Sequence, residues 1–433
     1  MKNLLLPVAG MVVFAGALSA QPAPMAFTGA KIIPISGAEI ENGTLIVRDG
    51  RIAAVGPAAS VSIPANATRI DVSGRVLMPG LVDSHSHIGE AAGADSSNPI
   101  QPEVRVMDAI NVRDAGLQKA QAGGITTVNI MPGSGHLLSG QTIYLKLRDG
   151  GTIDDLIIPL PDGSVAGGIK MANGTNPRKA SPFPGTRAKA AALIREQLVK
   201  AQEYRDKMRR TDVSKRPDRD LGMEALADVL DGKRVVHHHT HRHDDILTVL
   251  RLAKEFGFRV VLQHVSEGWR VADEIAAAGV PASIIMIDSP GGKIETQHLS
   301  YTTGKVLDEA GVLVGFHTDD GITDSRLFLR SAGLAVRAGM SRKSALEAMT
   351  INNAKMLELD ARIGSLEPGK DADFILLSGD PLSVYTHVLE TWVEGRKVFD
   401  RSNPKDRLYA VGGYGAGRDQ VMHLDCMGEG DAR

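Results

Sequence analysis

The chain has 433 residues, 43% of them hydrophobic, enough to bury a large core as one big α/β unit with an appendage or as more than one unit. Its 49 basic and 51 acidic residues nearly cancel, with a formal net charge of −2, which excludes the basic face that a nucleic-acid binder needs to displace counterions. Cys426 is the only cysteine, so an intramolecular disulfide is excluded and a cysteine metal site has no support.

The first element is an N-terminal leader. Lys2, the apolar run Leu4 to Leu18, and Ser19-Ala20 give the basic start, short apolar centre and small-residue exit of a secretory signal peptide. The run is too short to favour a membrane span. Residues 1–20 are therefore expected to be removed, leaving a periplasmic or secreted protein with no membrane anchor.

Residues 21–79 read as short strands: Lys31 to Ile35, Gly43 to Val47, and Arg51 to Gly56, with Asp49-Gly50 as a two-residue turn. The same texture returns late in the chain, at Asp373 to Leu377 and Thr391 to Val393, with Glu394-Gly395 as another tight turn. Residues 21–79 and 363–400 are thus expected to build one small β-sandwich from both chain ends.

Between them, residues 80–362 alternate strands and helices. Strands are expected at Gly124 to Ile130, Gly167 to Met171, Arg234 to His239, Arg259 to His264, Val280 to Ile287 and Val312 to Asp319. Helices are expected at Ala188 to Glu203, from an Asp244 cap to Gly257, and near 271–278, 304–310, 325–338 and 341–357. Ser134 to Gln141 reads as a rim loop, Tyr204 to Asp220 as a solvated helix end of mixed charge, and residues 401–433 as an irregular tail. Repeated strand–helix units favour a parallel barrel or a doubly wound sheet, with ionisable residues at the strand ends where barrel active sites are built.

The chemistry begins at His85-Ser86-His87, where an apolar strand ends. Residues i and i+2 of a strand point to one side, so both imidazoles can face one metal ion. The pair alone is a weak signal. Three further strand ends carry His239, His264 and Asp319. In a closed barrel such ends converge on one rim, so four imidazoles and a carboxylate distant in sequence would meet. His237 shares alternation with His239. His241 can point into the site and touch substrate, His317 can support Asp319 from the same face, and His243 reads as a loop residue. His136, Lys293 and Glu295 are weaker substrate-contact candidates.

These motifs resemble the amidohydrolase superfamily, on its imidazolonepropionase-like branch. The resemblance rests on the strand to His85 and His87, His239-Thr240-His241-Arg242-His243-Asp244-Asp245-Ile246, and His264 followed by Glu267-Gly268. It also rests on Thr318-Asp319 and on the segment Gly364 to Asp373. It implies a (β/α)8 barrel of the TIM type with a flanking β-sandwich. It further implies His85, His87, His239 and His264 as metal ligands, and Asp319 as ligand and general acid/base. In binuclear members a lysine at a position like Lys170 is carboxylated and bridges two ions. Thr175 stands where that branch is expected to carry an acidic residue, which leaves one ion or two open. Zinc is the expected ion, with iron or manganese as alternatives.

The implied reaction is attack of metal-bound hydroxide on a C–N bond of a small-molecule amide, cyclic amide or dipeptide, with Asp319 shuttling the proton. His136 and His241 are the expected substrate-binding residues. Lactone or organophosphate hydrolysis, heterocycle deamination, and a non-catalytic secreted metal-binding protein stay open as alternatives, as does homo-oligomer formation. No Walker loop and no Gly-x-Ser-x-Gly elbow occurs, so nucleophilic serine catalysis has no support.

Overall fold

Strands from both chain ends hydrogen-bond into one sheet, and those between them form the sheets that carry the histidines. A computed structural model describes residues 23–91, 93, 95–286 and 293–412. The expected leader and Cys426 lie outside the described residues, among which no helix is long and apolar enough to cross a membrane.

The first part of the chain supplies β1 (Met25–Ile32), β2 (Ile40–Arg48), β3 (Arg51–Pro57), β4 (Thr68–Asp71) and β5 (Val76–Pro79). The middle supplies β6 (Leu81–Ser86), β7 (Ile125–Ile130), β8 (Leu138–Gln141), β9 (Ile143–Lys146), β10 (Ile169–Ala172), β11 (Val236–Thr240), β12 (Val260–His264), β13 (Ala282–Ile284) and β14 (Val314–Phe316). The last part adds β15 (Phe374–Leu377), β16 (Val388–Val393) and β17 (Arg396–Asp400).

The terminal sheet runs β17-β16-β15-β5-β1-β2-β3, with β4 paired to β1. Its seam is the antiparallel pairing of β15 with β5, Phe374 opposite Pro79. Asp49 (φ 51°) and Gly50 (φ 76°) both adopt the left-handed conformation that a tight hairpin between β2 and β3 demands. Phe27, Phe374 and Trp392 pack as an aromatic core, Phe27 meeting the other two rings edge-on at 4.9 and 5.1 Å.

The middle strands form two sheets, β6-β7-β9 and β14-β13-β12-β11-β10-β8, with β10 to β14 all parallel. They are buried on both faces and so read as apolar runs broken only where chemistry sits. Between the first and last of them, the Asn353 amide donates to Val82 O and to Phe316 O, both at 2.6 Å. A Cβ at Gly315 would lie 2.0 Å from Asn353 Oδ1, so glycine there is what admits the amide.

The sheets are also locked by charge. Lys146, at the end of β9, is fully buried and pairs with Asp371 at 2.9 Å and with Asp373. Arg362 holds the same Asp371 carboxylate at 2.9 Å. The Gly364 to Asp373 segment therefore delivers two carboxylates to one buried ammonium, just where the chain re-enters the terminal sheet.

Several expectations are corrected. Leu138–Gln141 is a strand pairing with β10, not loop, because the mixed Leu-Ser-Gly-Gln sequence hides its buried register. Arg242, not Asp244, caps the helix His243–Phe256, and Asp244 sits in the first turn, where its charge favours the helix dipole. The 341–357 helix is two, Arg342–Glu347 and Ile351–Met356, broken at Thr350, whose hydroxyl bonds back to Leu346 O at 2.7 Å. The 325–338 helix shrinks to Arg330–Arg337 after a short turn, Ser325–Leu327. Residues 404–411 of the expected irregular tail form a helix, started by Pro404 and capped by Asn403, whose side chain accepts from Lys405 N.

Candidate metal centre

His85 and His87 sit at the end of β6, and each has its Nδ1 committed. Met131 O accepts from His87 Nδ1 at 2.7 Å, and Gln263 Oε1 accepts from His85 Nδ1 at 3.3 Å. A carbonyl oxygen cannot donate, so both histidines carry a proton on Nδ1, which leaves Nε2 as the nitrogen able to bind a metal. Those two Nε2 atoms lie 3.3 Å apart, and Asp319 Oδ1 lies 3.4 Å from the first and 3.1 Å from the second. Two imidazoles oriented from behind and a carboxylate oxygen suit a divalent ion.

Gln263 is the residue that sequence reasoning missed. Its Nε2 donates to His237 Nδ1 at 3.2 Å, and His237 Nε2 in turn meets Tyr144 OH at 2.8 Å. One amide thus fixes His85 and ties it to a second buried imidazole. Strand alternation would send Gln263 and His264 to opposite faces, but His264 leaves the strand at φ 72°, followed by Val265 at 43°. That left-handed turn re-aims His264, whose ring lies 4.8 Å from that of His85, while Gln263 is placed by the strand itself. Asp319 is similarly left-handed, at φ 48°, three residues beyond the end of β14 rather than closing it. Such strain in non-glycine residues gathers at functional sites. The signal for Gln263 was there: one amide in an otherwise apolar buried run, Val260 to Leu262.

The remaining expected residues converge unevenly. Lys170, fully buried on β10, places Nζ 3.1 Å from His85 Nε2 and 3.0 Å from Met131 Sδ. The rings of His239 and His264 lie 4.5 Å apart, and those of His239 and His241 4.6 Å apart. His317 was expected to support Asp319, but its hydrogen bonds go elsewhere: Nε2 meets His264 Nδ1 at 3.1 Å, Nδ1 meets Ser283 Oγ at 2.8 Å, and the ring stacks on His85. His243 pairs with Glu267 at 2.6 Å, half-exposed at the helix start. His136 is buried against Phe183, its two ring nitrogens unpartnered, and stands apart from the His85 group.

Burial pushes the imidazoles of His85, His239 and His264 well below their ordinary value, so each is a neutral donor. Burial works against an ionised Asp319, and with His85 neutral the positive charge that favours the carboxylate would come from a bound cation. Both ring nitrogens of His239, together with Nε2 of His241 and of His264, are buried without a hydrogen-bond partner. Buried polar atoms left unpaired are costly, and an ion satisfies them. The donor set therefore fits a divalent metal, the cofactor class of this chemistry.

The sequence pattern of the amidohydrolase family matches residues 76–400. The chain belongs to the amidohydrolase family. It is 27% identical over 391 residues to the amidohydrolase tasK of Hapsidospora irregularis, covering 83% of this chain but spanning only 40% of that protein. It is 26% identical over 381 residues to an imidazolonepropionase of Symbiobacterium thermophilum, covering 79% of this chain and 85% of that one. The solved structure of an amidohydrolase from Thermotoga maritima MSB8 superposes with a TM-score of 0.82 at 32% identity, covering 87% of this chain and 100% of the other. That likeness makes the middle of the chain a TIM-like barrel. The family is one of enzymes that act on carbon–nitrogen bonds by metal-dependent hydrolysis.

Proposed function

We propose that this amidohydrolase cleaves a C–N bond of a small amide, cyclic amide or dipeptide, with zinc as the resident ion. The observation that carries the reading is the convergence of His85 Nε2, His87 Nε2 and Asp319 Oδ1 within 3.4 Å of one another. A divalent ion there supplies a Lewis acid for the scissile carbonyl and lowers the pKa of water toward about 7.

The chain's own residues do the rest. His85, His87, His239, His264 and Asp319 would hold the metal, as one ion or two. Asp319 turns Oδ1 to the two imidazoles and keeps Oδ2, 3.8 Å from His264, for proton transfer from the attacking water to the leaving nitrogen. His241 and His136 are the proposed substrate contacts, the first beside His239 and the second apart from the grouped ligands. The position of Lys170 Nζ beside His85 supports a carbamate that shares a second ion. In this reading the two histidine-bearing sheets close as a (β/α)8 barrel over residues 80–362, and residues 21–79 and 363–400 pack as its flanking β-sandwich. The pattern of residues 1–20 supports delivery to the periplasm or beyond.

The test is a panel of N-acyl amino acids, dipeptides, cyclic amides, lactones and aminated heterocycles, assayed with and without a chelator. Turnover of a C–N substrate that chelation abolishes and zinc restores is expected. Asp319→Asn is expected to lower kcat by about 10²–10⁴-fold. Chelator-insensitive turnover retained in that variant would refute the reading.

A further inference from the structure

A second group of donors lies beside the first, and the carboxylate in it comes from a residue that family resemblance does not assign. Glu295 sits in the short turn Ile294–Thr296, after β13, and is buried. Its Oε2 accepts from Thr175 N at 2.9 Å and lies 3.7 Å from Arg187 Nη2. Its Oε1 is buried with no hydrogen-bond partner. The ligand atoms of Glu295, His239 and His241 all lie within 4.8 Å of one another. His241 has its Nδ1 on Ser266 Oγ at 2.7 Å and its Nε2 unpartnered, and neither nitrogen of His239 has a partner.

Three buried side chains thus bring unpaired atoms within 4.8 Å of one another and do not satisfy each other. If a proton were the intended occupant, Glu295 and one imidazole would form a hydrogen-bonded pair, and they do not. The surroundings are shaped for the carboxylate. Gly174 takes φ +83°, and a Cβ there would lie 2.6 Å from Glu295 Oε2. Thr175 stands where an acidic side chain was expected, and its backbone N–H holds the Glu295 carboxylate instead.

We infer that Glu295 is a ligand of a divalent cation, shared with His239 and His241, next to the ion of the His85–His87–Asp319 group. The inference rests on the metal-hydrolase reading above and extends it. A buried carboxylate beside two neutral imidazoles is an oxygen–nitrogen set that suits zinc or manganese. It gives the second ion an anionic ligand that does not depend on modification of Lys170.

The experiment titrates metal-free, full-length protein with Zn²⁺ or Co²⁺ and counts bound ions, alongside Glu295→Gln, His241→Asn and Asp319→Ala. Wild type is expected to bind two ions. Glu295→Gln and His241→Asn are each expected to lose one, or to bind it weaker by at least the roughly 10–100-fold that even an outer partner costs. Asp319→Ala is expected to weaken the other. If wild type binds one ion that Asp319→Ala removes and Glu295→Gln leaves untouched, the inference fails and the metal-hydrolase reading stands. If wild type binds none, both fail. If Glu295→Gln changes only the KM of a cationic substrate, the carboxylate recognises substrate and the inference is overturned. Anomalous scattering at the zinc edge decides without a variant. An ion about 2.0–2.2 Å from a Glu295 oxygen supports the assignment, and ions seen only farther away overturn it.

Discussion

The backbone N–H of Asp319 donates to the carbonyl oxygen of His85 across 2.9 Å. That bond joins the end of β6 to the loop after β14, so two donors 234 positions apart are fixed through the main chain (His85 and Asp319). The Thr318 hydroxyl reinforces it by donating to Asp83 Oδ2 at 2.6 Å, while Thr318 N reaches Oδ1 at 3.1 Å. Thr318→Val keeps the shape and removes the hydroxyl. It is expected to cost about 1–3 kcal/mol in denaturant unfolding, the penalty for a buried acceptor left short of a donor. It is also expected to loosen metal binding. Unchanged stability would show that the Asp83 clasp does not hold the two strand ends.

Gln263 governs two histidines with one amide. Gln263→Leu is expected to lower metal affinity about 10–100-fold, the usual effect of losing the group that orients a ligand from behind. Gln263→Glu keeps an acceptor for His85 Nδ1 and is expected to recover much of that loss. Competition with a chromophoric chelator reads both.

Lys146 is expected to matter for folding rather than for turnover. Lys146→Met leaves Asp371 and Asp373 buried without their shared cation, at a cost of about 3–5 kcal/mol. A matched fall in melting temperature, with kcat of the surviving folded enzyme little changed, is the expected pattern. A large kcat defect at full stability would contradict it.

Acid should find His136. Burial, aided by the nearby Lys179 charge, pushes its imidazole down to about 4 from an ordinary 6.5. Between those values the unfolded chain binds a proton that the folded one refuses, so stability falls as pH drops, by up to about 1.4 kcal/mol per pH unit. Unfolding followed from pH 7 to pH 4.5 is expected to show a shallower pH dependence in His136→Gln than in wild type. Identical slopes would mean that the folded protein protonates His136 as readily as the unfolded one.

Lys170 is tested by chemical rescue. Lys170→Ala is expected to lose most activity, and a short carboxylic acid added in millimolar amounts is expected to restore part of it if a carbamate is what the site uses. No rescue, together with full metal content in the variant, would assign Lys170 another role.

The ligand-bearing strand ends were legible because each breaks an apolar run. Val260 to Leu262 before His264 and Val235-Val236 before the histidine cluster can be nothing but buried strands, so a polar terminus stands out. Residues placed by backbone turns were not legible. His264 and Asp319 reach the site through left-handed corners that no period-two pattern encodes. Apolar runs also overstate strands. Among the described residues, the run from Val280 pairs only over Ala282–Ile284, while Ile285 and Met286 stay buried outside the ladder. Glu295 looked like any acidic loop residue, since its burial depends on space left by Gly174, more than a hundred positions away.

The terminal sheet has a consequence for how the molecule comes to exist. Its central strands β5 and β15 pair across nearly 300 residues, Pro79 with Phe374. A ribosome finishes β1 to β5 long before their partner has been made. The early strands must wait, edges unpaired, while the whole middle of the chain is synthesised between them. Closing that sheet is therefore among the last acts of folding, and a chain truncated before residue 374 leaves a sticky, unfinished edge.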